Sequence, residues 1–205
     1  LRIDSSGNVG IGTSSPIESL TVGATPTTAG FSLGHATTQT FLRYNNYFSG
    51  TSQVSDATKG SASISLGRSS DGVITFNTAA AGAGTPTEAM RIDTSQRVLI
   101  GHDSSVSYNT YLQLTGDNFN KTSVSLTRYS NNSSATHFLG FKSRSTTVGT
   151  PGTIVADDDN LLIIRAYGDD GEVETNPAAD IKFVVDGTPG VDDMPGRIEF
   201  ATSPD

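Results

Sequence analysis

Hydrophobic and polar residues alternate along this chain in short runs with a period of two. Ile64 and Leu66, Ile74 and Phe76, Leu112 and Leu114, Val124 and Leu126, and Ile198 and Phe200 each flank a small or polar residue. That is the spacing of half-buried strands, because successive side chains on a strand point to opposite faces. Residues that make tight turns separate the runs: Asp4-Ser-Ser-Gly-Asn8 between Ile3 and Val9, and Ser69-Ser-Asp-Gly72 before Ile74, read as hairpins. No window of about eleven or more residues shows helical periodicity with caps. The nearest approach, Asn176-Pro-Ala-Ala-Asp180, reads as a turn entering a strand at Ile181-Lys-Phe-Val-Val185. The expected fold is all-β, with short strands and very little helix.

The chain also repeats itself. Arg2-Ile-Asp-Ser-Ser-Gly-Asn-Val-Gly-Ile-Gly12 returns 89 residues later as Arg91-Ile-Asp-Thr-Ser-Gln-Arg-Val-Leu-Ile-Gly101, with seven identities in eleven positions. A second echo links Gly72-Val-Ile-Thr-Phe-Asn-Thr78 to Gly196-Arg-Ile-Glu-Phe-Ala-Thr202. The expected organisation is a first repeat over 1–89 and a second over 90–205, cut off before a third. Departures at Gln96, Arg97, Leu99 and His102 leave the geometry of the second turn open. Repeats too thin to bury a hydrophobic face alone bury it against neighbours, along one chain or between chains. Glycines inside a strand, as at Gly10 and Gly12, weaken it unless another backbone comes close. A glycine-kinked hairpin in a monomer and close packing of several chains both fit.

Composition sharpens this picture. Apolar residues are 34% of the 205, whereas 26 Ser and 27 Thr supply small polar side chains suited to short strands and many turns. The core is thin. With no cysteine, neither disulfides nor thiolate metal sites hold the fold. A net charge of −8 argues against attachment to phosphate backbones, so nucleic acid is not an expected partner. No apolar run approaches the roughly 18 to 20 residues that span a bilayer, and no membrane insertion is expected.

Residues capable of chemistry are present without the context that chemistry needs. Gly30-Phe-Ser-Leu-Gly34, beside His35, matches a nucleophile elbow in letters, but it lacks the preceding buried strand and the following helix. Gly101-His-Asp-Ser104 sets three triad residue types side by side, where neighbouring side chains point apart. Gly7-Asn-Val-Gly-Ile-Gly12 has the wrong glycine order for a dinucleotide loop. His35, His102 and His137 have no metal-ligand spacing. Acidic residues crowd the second half at Asp157-Asp-Asp159, Asp169-Asp170, Glu172, Glu174, Asp186 and Asp192-Asp193. They read first as solvated loop charges, with a calcium site or a glycan-cleaving carboxylate pair as alternatives. Aromatics at Phe41, Tyr44, Tyr47, Phe48, Tyr108, Tyr111 and Tyr129 read as packing groups rather than sugar platforms. The expectation is no enzyme activity, with no catalytic, cofactor-binding or metal-binding residue and no cofactor.

Three blocks carry a resemblance: Arg2 to Pro16, Ser125-Leu-Thr-Arg128 through Lys142-Ser-Arg-Ser-Thr-Thr147, and Val185-Asp-Gly-Thr-Pro-Gly190 leading to Met194-Pro-Gly-Arg-Ile-Glu-Phe200. Together they resemble the repeated tail-fibre segments of tailed bacteriophages, especially marine ones. The resemblance covers most of 1–22 and 85–205 and implies a β-rich homotrimer, a triple-stranded β-prism or β-helix or small β-sandwich modules strung along a fibre. It further implies a virion appendage, joined to other tail or baseplate proteins, that meets a glycan or outer-membrane receptor on the host. In such a trimer Ile3, Val9, Ile11, Ile92, Val98 and Ile100 are expected to face a shared axial core. A structure showing these residues solvent-exposed on an isolated monomer would contradict that placement. A glycan-depolymerising tailspike and a bacterial repeat adhesin are the alternative readings.

Overall fold

The computed structural model describes residues 1–16, 18–23, 31–36, 39–48, 52–54, 56–67, 72–105, 110–150, 152–171 and 176–203. The described residues are nearly all β, as the alternation predicts. The chain forms two compact units, Leu1–Val124 and Ser125–Asp205. The first contains β1 (Arg2–Ile3), β2 (Val9–Ile11), β3 (Leu20–Val22), β4 (Phe31–Ala36), β5 (Gln39–Tyr44), β6 (Asn46–Phe48), β7 (Ser52–Val54) and β8 (Ser61–Leu66). It continues with β9 (Ile74–Ala79), β10 (Thr87–Ile92), β11 (Val98–Ile100), β12 (Leu112–Leu114) and the single helical turn α1 (Phe119–Thr122). The second contains β13 (Asn160–Tyr167), β14 (Pro177–Val185) and β15 (Gly196–Thr202).

Ten strands of the first unit form one open sheet in the order β1-β2-β3-β4-β5-β8-β9-β10-β11-β12, while β6 and β7 pair as a separate hairpin. Neighbours are antiparallel except β2 with β3 and β11 with β12, which are parallel. Two-residue offsets and matched registers make the second hairpin a copy of the first. Ile3 opposes Val9 and Val9 opposes Leu20; Ile92 opposes Val98 and Val98 opposes Leu112.

The turns are equivalent too, which resolves the question left open by Gln96 and Arg97. Asp4 Oδ1 accepts the amides of Ser6 and Asn8, and Asp93 Oδ1 accepts those of Ser95 and Arg97. Asn8 Nδ2 donates to Asp4 Oδ2 at 3.1 Å, and Arg97 Nε donates to Asp93 Oδ2 at 2.7 Å. Gln96 even adopts the positive φ of Gly7, 64° against 83°. The carboxylate that organises the turn is kept, so the glycine can be lost at the cost of some backbone strain.

Gly10 has the close backbone approach that its place in a strand implies, and the approaching backbone belongs to the same chain. A Cβ there would lie 2.7 Å from the Thr13 carbonyl oxygen and 3.5 Å from Pro16 Cβ. The close backbone is the chain's own crossover from β2 to β3. The turn expected at Ser69–Gly72 falls on 69–71, which lie outside the described residues. Two other expectations are corrected. Val124 and Leu126 form no strand within the chain, and the stretch from Pro177 to Asp180 is already strand rather than turn.

In the second unit β13, β14 and β15 form an antiparallel meander. Its buried apolar residues are Val155, Val184 and Val185. Arg165 lies across from Asp180 and grips its carboxylate with two bonds, 2.6 and 2.8 Å. Asp159 accepts two bonds from Arg144, at 2.7 and 3.0 Å, and one from the Ala156 amide.

Candidate interaction face

The registers of the ten-stranded sheet sort its side chains into two unlike faces. One row runs Ile3, Val9, Leu20, Leu33, Leu42, Ile64, Phe76, Met90, Ile100, Leu114, one residue from each strand, each directly opposite the next. All ten are apolar. Side chains two residues away share the face, so Val22, Phe31 and Tyr44 flank the row on one side and Leu66, Ile74, Ile92 and Val98 on the other. The six residues expected to face a shared core, Ile3, Val9, Ile11, Ile92, Val98 and Ile100, all lie on this face; in the single chain Ile3 and Ile11 are exposed to solvent and the other four are half-buried.

The opposite face is polar, with Gly10, Thr21, Ser32, Arg43, Ser63 and Asn77 in one row. In the single chain this polar face is the buried one. Thr21, Ser32, Arg43 and Thr75 are at most 1% exposed. The chain's own connections cover it. Glu18 reaches Arg43 from the crossover before β3 and forms an ion pair that is buried at both ends. The Arg43 guanidinium lies 3.4 Å from the centre of the Phe41 ring. Burial pushes that guanidinium's pKa down, and the Glu18 carboxylate opposes the shift. Gly34 leaves room for Glu18, because a Cβ there would collide with its carboxylate. Asn45, with φ of 51°, donates to the carbonyls of Asp56, Lys59 and Gly60 and accepts the Asp56 amide, tying the 56–60 connection down. Further along, Gln113 Nε2 donates to Ser105 Oγ at 2.9 Å. Leu99, standing where the first hairpin has Gly10, fills this side at 1% exposure.

The described residues do not cover the apolar face to the same extent. Ile3 is 67% exposed, and Ile11, Leu33, Leu42, Tyr44, Leu66 and Leu112 range from 40% to 58%. With their half-buried neighbours these side chains present on the order of 1,000 Å² of apolar surface, more than the ~300–600 Å² of a monomer's largest ordinary patch and similar to the ~800 Å² per partner of a standard interface. The alternation in the sequence implied that the apolar side of each strand is covered. Among the described residues the reverse holds, with the polar side packed and the apolar side more exposed.

The residues weighed for chemistry are scattered. Ser32 lies in the middle of β4 on the buried polar face, with no strand-to-helix turn; Gly30 is outside the described residues, as is the side chain of His35. At His102 the Ser104 amide, the Ser104 hydroxyl and the Asp103 carboxylate all gather at Nδ1, at 3.1, 3.2 and 3.7 Å. A triad needs its acid and nucleophile on opposite ring nitrogens, so this is a polar turn. Among the described residues no three His, Cys, Asp or Glu side chains come together to hold a metal ion.

Several of the second-half carboxylates are engaged by cations and amides. Asp158 and Asp186 bind Arg197 at 2.6 and 3.1 Å, Asp157 accepts the Gly187 amide at 2.6 Å, and the Arg144 guanidinium holds Asp159 well below the usual carboxylate range. Glu172 and Glu174 lie outside the described residues, as do Tyr108 and the side chains of Tyr47 and Phe48. Phe41 is buried, Tyr44 lies on the apolar face, and Tyr111 and Tyr129 are exposed at 71% and 95%. No helix among the described residues is long and apolar enough to cross a membrane. No family model, no curated protein and no solved structure matches the chain.

Proposed function

We propose that this chain is a structural segment of a bacteriophage tail fibre or related virion appendage, a homotrimer that extends toward the host cell and adheres to it. The observation that carries the reading is the continuous ten-residue apolar row, left open while the polar face is packed under the chain's own loops. A surface of that size and composition in a chain with few buried apolar residues calls for self-association. Closed symmetry around an axis suits a repeating sheet whose neighbours all present the same face. The outward side then carries the loops over the polar face, free to meet a host surface glycan or outer-membrane receptor and other tail or baseplate proteins.

The virion setting rests on the resemblance to phage fibre repeats, and the apolar face supports only the assembly part. Antibody raised against this segment tests the setting. It is expected to label appendages of intact particles in electron micrographs and to block their adsorption. Labelling confined to a bacterial cell surface would replace the reading with a repeat adhesin.

A further inference from the structure

Strand registers reveal a longer repetition than residue identities do. Ile164 stands opposite Ile181 and Ile181 opposite Phe200, as Leu42 stands opposite Ile64 and Ile64 opposite Phe76. One position on, Arg165 faces Asp180 as Arg43 faces Ser63. β13, β14 and β15 are therefore the counterparts of β5, β8 and β9, just as β10, β11 and β12 are the counterparts of β1, β2 and β3. Among the described residues the second repeat shows no counterpart of the separate β6–β7 hairpin and, of the main-sheet strands, none of β4.

The residues for that strand are present. In the first repeat Phe31-Ser-Leu33 begins nine positions after Val22 and occupies the edge of β5, with Leu33 opposite Leu42. In the second, Val124-Ser-Leu126 begins ten positions after Leu114. It forms no strand in the chain, and Val124 and Leu126 are 70% and 54% exposed. Among the described residues no strand pairs with the matching edge of β13, with Gly140 packed against Leu162 near one end of that strand. It runs eight residues, Asn160-Leu-Leu-Ile-Ile-Arg-Ala-Tyr167, with one charge and no proline. A long apolar edge of this kind is a template for another strand, and natural proteins cover or charge such edges. Ser125 to Arg128 and β13 share one compact unit of the chain and still do not pair there.

We infer that residues 124–128 of one copy add as a strand to the open edge of β13 in a second copy, which completes the second repeat between chains. Leu126 takes the place opposite Ile164 that Leu33 takes opposite Leu42, and Ser125 faces Arg165 as Ser32 faces Arg43. Val124 and Leu126 then join Ile164, Ile181 and Phe200 on one apolar face. This deepens the self-association proposed above and rests on it.

The chain has no cysteine, so engineered pairs report cleanly. Residues directly opposite on antiparallel strands lie within disulfide reach. Leu126→Cys and Ile164→Cys chains carrying different tags are co-expressed, oxidised and run without reductant. The expected product is a covalent heterodimer at least tenfold more abundant than that from a control pairing Asn131→Cys with Ile164→Cys. A cross-link formed only within one chain carrying both Leu126→Cys and Ile164→Cys, as a fast-migrating monomer, overturns the inference. So does no cross-link in variants whose native mass matches the unmodified assembly. Amide exchange on the unmodified assembly gives a reading free of mutation: protection at 124–128 is expected, and free exchange there overturns the exchange of strands while leaving self-association intact. A one-chain native mass overturns both.

Discussion

Replacing Leu33 and Leu42 together by lysine separates the stability of one chain from that of its assembly. The two side chains face each other across β4 and β5 at the centre of the apolar row and keep 40% and 43% of their surface in the single chain. Roughly 75 Å² on each remains to be covered, worth about 2 kcal/mol per leucine at ~25 cal/mol per Å². A three-chain assembly with six such side chains therefore loses about 12 kcal/mol, between eight and nine orders of magnitude in its association constant, before any cost of burying ammonium groups. The lone chain loses far less, because lysine can lay its stem along the sheet and keep its charge in water. Light scattering and circular dichroism on L33K/L42K are expected to show a β-rich chain of one-chain mass. A double variant that keeps the parent's assembled mass would refute the assignment of this face to self-association.

Three further outcomes follow from the same geometry. Glu18→Ala strands a buried guanidinium and is expected to lower stability by about 3 kcal/mol or more; a denaturant midpoint within error of the parent would show that other contacts hold Arg43. Gln96→Gly removes a side chain from a left-handed backbone and is expected to raise stability by up to about 1 kcal/mol, read as a higher melting temperature, whereas a fall would show that the Gln96 side chain matters more than its φ. Bonds from Thr58 and then Lys59 pull the Asp56 carboxyl down to about 2, below its ordinary 3.8. A depressed folded pKa gives stability that is present above the unfolded value and lost as pH falls, so the 56–60 turn should hold from neutral pH to about 4 and loosen between roughly 4 and 2; Thr58 amide shifts that change above pH 5 would contradict this.

Much of the fold is legible in the residues, and the limits have physical causes. The Arg-Ile-Asp hairpins are readable because one aspartate organises each turn, and that carboxylate survives the change from Gly7-Asn8 to Gln96-Arg97. Period two separates the faces of each strand correctly. It does not say which face the chain covers with its own loops, since that depends on crossovers such as the one carrying Glu18 to Arg43, 25 residues away in sequence. Gly10 is half legible for a related reason: the glycine implies a close approach, but the approaching Thr13 carbonyl lies in a crossover that no periodicity reveals. Val124 and Leu126 carry a strand's pattern but find no partner within the chain. Identity shows the match of β13–β15 to β5, β8 and β9 only at its last strand, in residues 72–78 and 196–202, because elsewhere the registers keep the apolar character at each position, Leu42 for Ile164 and Leu66 for Phe183, more than the residue itself.

The most direct test of the account is the mass of this segment in its natively assembled state, measured by native mass spectrometry on material released from intact particles without refolding. Three chains per assembly are predicted, with the apolar row closed between them. A single-chain mass, with Ile3, Ile11 and Leu42 left in solvent, would contradict it.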